Sequence, residues 1–207
     1  VLPIGPSYFI SSITADNNNV VWATTNGEGI LKYNGTAWSL YTSFNSGLAD
    51  NQCGNLAFDA NNNLWMSTNT GVTQSFDGTN WTTWPASVTG LTLPGVRIYT
   101  NPHDYSLWFC SMQNGAIKFD GNTWESFDEM NSGICATPYH VAFDKYNNKW
   151  FSTWNSGVSV YNENGVNYET IYNLPTNAAR GTVYYDQNAN GDFDSGDHGV
   201  AGRRLFL

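Results

Sequence analysis

The chain has 207 residues, a formal net charge of −9 and only eight lysines and arginines; aromatic residues make up 15% and charged residues 12%. No basic stripe exists to track a phosphate backbone, which argues against nucleic acid as a partner, and no apolar run approaches a membrane span. A chain this long can bury a substantial core, and one domain plus a fragment is the expected count.

Periodicity dominates the first 172 residues. Trp22, Trp65, Trp108 and Trp150 recur at intervals of 43, 43 and 42, and Trp38, Trp81 and Trp124 recur at 43 and 43, with Tyr168 in the fourth place. Gly29, Gly71, Gly115 and Gly157 sit between the two series. A period of this length built from short strands predicts an all-β fold, a β-propeller of four-stranded blades. The expected blades span about 1–44, 45–87, 88–130 and 131–172.

The first unit runs through Leu2-Pro3, Ile13, Asp16, Trp22, Thr25, Gly29 and Tyr33. The second is the clearest. Leu56 and Phe58 alternate before a turn of Asp59 and three asparagines; Leu64 to Thr68, Val72 to Phe76 and Trp81 to Trp84 follow as strands, punctuated by Gly71 and by Asp77-Gly78. The third unit departs at Asn101-Pro-His-Asp, a turn one residue longer, and Met112 stands in the place of the repeated threonine. The fourth carries Gly133-Ile134, Asp144, Trp150, Thr153, Gly157 and Tyr161. No apolar stripe of helical period is long enough for a helix.

These units resemble the two-component-regulator propeller repeat, whose pattern is matched in the second unit by Gly47-Leu48, Asn51, Asp59, Leu64-Trp65, Thr68, Gly71 and Phe76. The resemblance implies a propeller and little about function, since such repeats occur in sensor ectodomains and in secreted proteins. Four such blades either close as a ring, continue into blades upstream, or form an arc that a partner completes.

Beyond a linker at 173–179, residues 180–207 change character. Gly181, Val183, Asp186, Asn188, Asn190, Gly191, Asp194, Gly196, Gly199, Val200, Gly202 and Leu207 fall in register with the opening of an SdrD B-type or Cna B-like β-sandwich, which this segment resembles. Only the first hairpin of such a sandwich is present, so the chain is expected to belong to a longer polypeptide. An export signal would then have been removed or lie outside the sequence. Physically, Asp186 to Asp197 is also a twelve-residue loop with oxygen ligands at the spacing an EF-hand-type calcium site requires: Asp186, Asn188, Asn190, Asp192 through its carbonyl, Asp194 and Asp197, with Gly191 at the sharp turn. A structural Ca2+ is expected there; the plain alternative is an ion-free polar turn.

Catalytic patterns are absent. Asp16, Asp59 and Asp144 are repeat-equivalent and precede asparagine turns, so they read as turn caps. His103, His140 and His198 have no visible partner and read as surface or satisfied histidines. The three cysteines, Cys53, Cys110 and Cys135, form no disulfide framework, although a Cys53–Cys135 bridge stays open; Cys110 takes the place of Thr24, Ser67 and Ser152 and reads as a small buried residue. What does not repeat is the set of loops between the second and third strands: Asn26, Glu28, Asn69, Gln113, Asn114, Trp154 and Asn155. Trp154 lies outside both tryptophan registers. A ring beside amides suits a sugar; the competing reading is a loop tryptophan covering a blade edge.

The sequence thus predicts a non-enzymatic recognition or adhesion module of an exported, multidomain bacterial protein. It would be extracellular or at the cell surface, would bind a glycan or protein, and could be cargo of secretion machinery or a partner of outer-membrane proteins. The alternative is the periplasmic ligand-sensing propeller of a hybrid two-component system. A propeller lyase or glycosidase is the weaker third.

Overall fold

The computed structural model describes residues 9–92, 95–154 and 157–166, and the backbone of residues 184–185 and 198–199. Three antiparallel meanders of four strands follow one another: β1 (Ile10–Ala15) to β4 (Trp38–Tyr41), with β2 (Val21–Thr25) and β3 (Ile30–Tyr33); β5 (Cys53–Phe58), β6 (Leu64–Thr68), β7 (Thr73–Phe76) and β8 (Trp81–Trp84); and β9 (Arg97–Thr100), β10 (Leu107–Ser111), β11 (Gly115–Phe119) and β12 (Trp124–Phe127). A fourth sheet comprises β13 (Pro138–Phe143), β14 (Lys149–Thr153) and β15 (Val158–Tyr161). The fourth-strand place predicted at Tyr168 lies outside the described residues. A single helical turn, α1 (Ala86–Thr89), follows Pro85 and stops at Gly90, too short to show as a period in the sequence.

The first strands β1, β5, β9 and β13 run beside one another in succession, as the inner strands of propeller blades do. Apolar residues pack between sheets in three repeated clusters. Trp22 and Ile30 of the first sheet meet Leu56, Leu64 and Met66 of the second; Trp65 meets Ile98, Leu107 and Phe109; Trp108 and Ala116 meet Val141 and Phe151. The second tryptophan series stacks across each sheet: Tyr33–Trp38, Phe76–Trp81 and Phe119–Trp124 have ring centroids 4.8, 4.8 and 4.5 Å apart. Both series are therefore architecture.

The sheets form an arc that does not close. Ile13 is 68% exposed, although its register equivalents Leu56, Ile98 and Val141 are buried against the preceding sheet. At the other end Val158 is 65% exposed, although its equivalents Ile30, Thr73 and Ala116 are buried against the following one. Each end face is thus one half of the joint that the chain makes three times internally.

The predicted turn caps are present. Asp59 Oδ1 accepts the backbone N–H of Asn61 and Asn63 at 2.9 Å each, and Asp144 Oδ1 accepts those of Tyr146 and Asn148 at the same distance. One assignment needs correcting. Ser111, not Met112, takes the place of the repeated threonine. Its buried hydroxyl accepts the Asn114 N–H at 3.3 Å, as Thr68 Oγ1 accepts that of Val72 at 3.0 Å, while Met112 is exposed. All three cysteines are buried and Cys53 and Cys135 are not bridged to each other; Cys110 packs in one cluster with Trp108 and Phe151.

Candidate functional site

Antiparallel pairing dictates where the non-repeating loops lie. The loops joining β2 to β3, β6 to β7, β10 to β11 and β14 to β15 all emerge at one end of their sheets. The inner strands begin at that same end, because Ile10 pairs with Thr25, Cys53 with Thr68, Arg97 with Cys110 and Pro138 with Thr153. The predicted loop residues therefore share an end, but they fall into separate groups. Asn26 bridges Gln52, and Asn69 donates to Gln52 through both its backbone N–H (3.0 Å) and its amide (3.3 Å). Asn114 exchanges amide hydrogen bonds with Thr92 and accepts from Ser111 at 3.1 Å. The Glu28 N–H donates to Thr25 Oγ1 at 3.0 Å and its side chain is half-buried, while Gln113 is exposed. These contacts stitch turns together and leave little of that polar surface free to re-aim. Asn155 lies outside the described residues.

Trp154 differs. It is 66% exposed, its N–H donates to Thr137 O at 3.3 Å, and its ring stands edge-on to Tyr139 at 5.7 Å between centroids. Tyr139 opens onto a cluster that sequence reading missed. The Arg97 guanidinium lies 4.0 Å over the Tyr139 ring, donates to the Tyr139 hydroxyl, and donates to His140 Nε2 at 3.1 Å. His140 Nδ1 in turn is 2.6 Å from the Tyr99 hydroxyl. His140, read from sequence as partnerless, therefore has two partners on the neighbouring inner strand. The other described histidine is tied down as well: His103 Nε2 donates to the Asp144 carbonyl at 2.6 Å, joining the third sheet's turn to the fourth.

A signal for the cluster was present in the sequence. Ser12, Asn55, Arg97 and His140 occupy one repeat register on β1, β5, β9 and β13, and each of the first three reaches the next inner strand. Ser12 Oγ accepts the Leu56 N–H at 3.4 Å, and the Asn55 amide accepts from and donates to the Ile98 backbone. The first two are small and neutral; the third is a cation.

Protonation follows from this geometry. A guanidinium only donates, so His140 Nε2 accepts and Nδ1 carries the hydrogen that Tyr99 receives. Burial, and then the charge of Arg97, hold the His140 pKa below its ordinary value, which keeps the ring neutral near pH 7. Burial foremost raises the Tyr99 pKa, so its hydroxyl keeps its hydrogen. No carboxylate of the described residues pairs with Arg97; the ion pairs there involve Lys118 and Lys149 alone.

Among the described residues no cluster of three or more His, Cys, Asp or Glu could hold a metal. The expected calcium ligands, Asp186, Asn188, Asn190, Asp192, Asp194 and Asp197, lie outside them. Tyr184 pairs with Gly199 and Tyr185 with His198, antiparallel. No helix of the described residues is long and apolar enough to cross a membrane.

The fold has relatives among solved structures. The extracellular domain of the putative hybrid two-component system BT3049 from B. thetaiotaomicron superposes with a TM-score of 0.66 at 18% identity, over 78% of this chain and 23% of that one. The extracellular domain of the putative one-component system BT4673 of the same organism gives 0.59 at 21%, over 78% and 21%. PorZ, a bacterial surface component of the type-IX secretion system of Porphyromonas gingivalis, gives 0.57 at 16%, over 79% and 26%. The architecture is that of propeller blades, and the chain spans about a quarter of the length of these proteins. No described protein family matches the sequence, and no curated protein matches it.

Proposed function

We propose that this chain is a non-enzymatic recognition module of an exported, multidomain bacterial protein. It works outside the cell or at its surface and binds a glycan or protein ligand on the loop end of the arc. The observation that carries this reading is Trp154: a large ring left in solvent beside Tyr139, at the end where the loops between second and third strands emerge. An exposed aromatic ring flanked by hydrogen-bonding groups is a usual platform for a sugar's apolar face. The likeness of the fold to extracellular sensor domains and to a surface component supports the location.

In the tail, a structural Ca2+ held by Asp186, Asn188, Asn190, Asp192, Asp194 and Asp197 would stiffen the loop closed by the 184–185 and 198–199 pair. The competing role, ligand sensing for a two-component system in the periplasm, is favoured by the first two structural neighbours and uses the same surface.

The test is a glycan array probed with the parent chain and with Trp154→Ala. Binding that falls at least about tenfold in the variant places Trp154 in the site; unchanged binding removes it. Calcium titration of the parent against Asp186→Ala tests the tail. Equal affinities would show that the loop does not hold the ion.

A further inference from the structure

The Arg97 cluster holds more charge than its structural role needs. Ser12 and Asn55, in the same register, bridge adjacent inner strands with neutral side chains. At Arg97 the bridge carries a positive charge, and no carboxylate of the described residues lies within ion-pair distance of it, in a chain with seventeen acidic residues against eight basic ones. Acids are abundant, yet none among the described residues pairs with this cation.

Hydrogen counting points the same way. Among the described residues Arg97 gives one N–H to His140 and one to Tyr139 and also lies beside the Tyr99 hydroxyl, so not all of its five N–H groups are spent. The Tyr139 hydroxyl accepts from Arg97 and the Tyr99 hydroxyl accepts from His140, so each keeps its own hydrogen to give away. Every unspent hydrogen in the cluster belongs to a donor, and the one full charge is positive. Stacking on Tyr139, 4.0 Å from the ring centroid, holds the guanidinium in place and keeps it from swinging freely. Trp154 stands edge-on to the same ring, 5.7 Å between centroids.

We propose that Arg97, with the hydroxyls of Tyr99 and Tyr139, is a subsite for the carboxylate or sulfate group of an anionic sugar whose ring lies against Trp154. Arginine forks match the paired oxygens of such groups, and the ring supplies the flat apolar face a pyranose needs. The proposal rests on the recognition reading above and narrows its ligand class.

Isothermal titration of the 207-residue chain decides it, with three probes of equal length: a galacturonate oligosaccharide, a sulfated galactan oligosaccharide and a neutral galactan oligosaccharide. At least one anionic probe should bind about tenfold more tightly than the neutral one, as a charge-assisted hydrogen bond implies, and this margin should shrink as salt rises. Which anionic probe leads separates carboxylate from sulfate. Arg97→Gln should abolish the margin and leave the neutral probe's affinity in place, while Arg97→Lys should keep part of it. If Arg97→Gln melts well below the parent, Tyr139→Phe, which retains the ring, should still cut the margin. Equal affinity for neutral and anionic probes, or a margin that survives Arg97→Gln, overturns the subsite and leaves the recognition reading standing. Binding of none of the three, with a peptide carboxylate bound in their place, overturns the subsite together with the glycan form of that reading.

Discussion

The carboxylate of Asp59 accepts the indole N–H of Trp65 at 2.8 Å, and both residues are buried. The same carboxylate caps the asparagine turn between β5 and β6 and accepts the Asn63 amide at 2.9 Å. One side chain thus sets a tight turn and fixes the orientation of the ring that fills the joint to the next sheet. Asp144 repeats the arrangement on Trp150 at 3.0 Å, and Asp16 does so loosely on Trp22 at 3.5 Å. In the third sheet the longer turn moves the acid away, and Ser106 relays between Asp104 (2.6 Å) and Trp108 (3.2 Å).

Asp59→Ala should therefore destabilise the chain by about 2–4 kcal/mol, since it leaves several buried donors unsatisfied. Asp16→Ala, at a more exposed turn with a longer indole contact, should cost about 1 kcal/mol. Urea denaturation followed by tryptophan fluorescence measures both. Equal losses would show that the indole bond contributes nothing beyond the turn.

Asp144, with Glu163 and Asp120, makes the fold sensitive to low pH. Burial pushes the Asp144 carboxyl up, but hydrogen bonds from Trp150 and Asn148 outweigh it and hold its pKa below the ordinary value. Burial likewise opposes ionisation of Glu163, and the Lys149 ammonium overcomes it. Two backbone N–H groups, from Thr123 and then Asn122, bring Asp120 down to about 2. A carboxylate whose folded pKa is depressed adds stability that is complete above its unfolded value, near 4, and is lost as pH falls through the folded value. Melting temperature should accordingly be flat from neutral pH down to about 5 and drop below about 4. In Asp144→Asn the drop should be shallower; an unchanged pH profile in that variant would remove Asp144 from the account.

Much of the architecture is legible in the chain because it repeats. Trp65 announces its role through copies one period away, and so does the Asp59 turn; Gly71 does not, because Val72 holds the register of Gly29 and Gly157 as the acceptor of the Thr68 N–H. The loop end was legible in outline, since Trp154 breaks the register. The cluster around it was not, because its members look unremarkable one at a time. Arg97 sits at a strand start and His140 at another, and only superposing the repeats places them side by side. Met112 was misplaced although the spacing points to its neighbour: Ser111 follows Trp108 by three residues, as Thr68 follows Trp65, and its hydrogen bond to Asn114 keeps the register. Residues that act through adjacency between blades are separated in sequence by a whole repeat, and residue-type patterns within one blade do not expose them.

The repeated glycines separate into two physical cases. At Gly115 the backbone has φ +69°, and a Cβ would stand 2.4 Å from the Phe127 carbonyl oxygen. At Gly78 φ is +100°, but a Cβ would meet nothing within 4 Å. Gly78→Ala should therefore cost only the left-handed conformation, about 1–2 kcal/mol. Gly115→Ala adds a backbone clash that β11 and β12 can relieve only by parting, and should cost at least about 3 kcal/mol. Chemical denaturation of the two variants side by side checks this, and a Gly78→Ala loss as large as that of Gly115→Ala would refute the distinction.

Lys149 is the buried cation of the fold. Its side chain is fully enclosed, it pairs with Glu163, and its ammonium lies 5.7 Å from the Trp108 ring centroid. Lys118 shares the same glutamate at 3.3 Å and reaches Asp104 at 3.8 Å, so the network joins the third sheet to the fourth. Glu163→Gln would leave a buried ammonium without its carboxylate and should destabilise the chain by about 3 kcal/mol. Lys149→Met, which removes the charge and keeps the volume, should be far milder, because it also removes the desolvation of that charge. In the double variant Lys149→Met with Glu163→Gln, most of the single Glu163→Gln loss should return. A double-mutant cycle by urea denaturation reads this directly. If the two losses simply added, the buried charge would not be what Glu163 compensates, and its role would reduce to the hydrogen bond it accepts from Lys118.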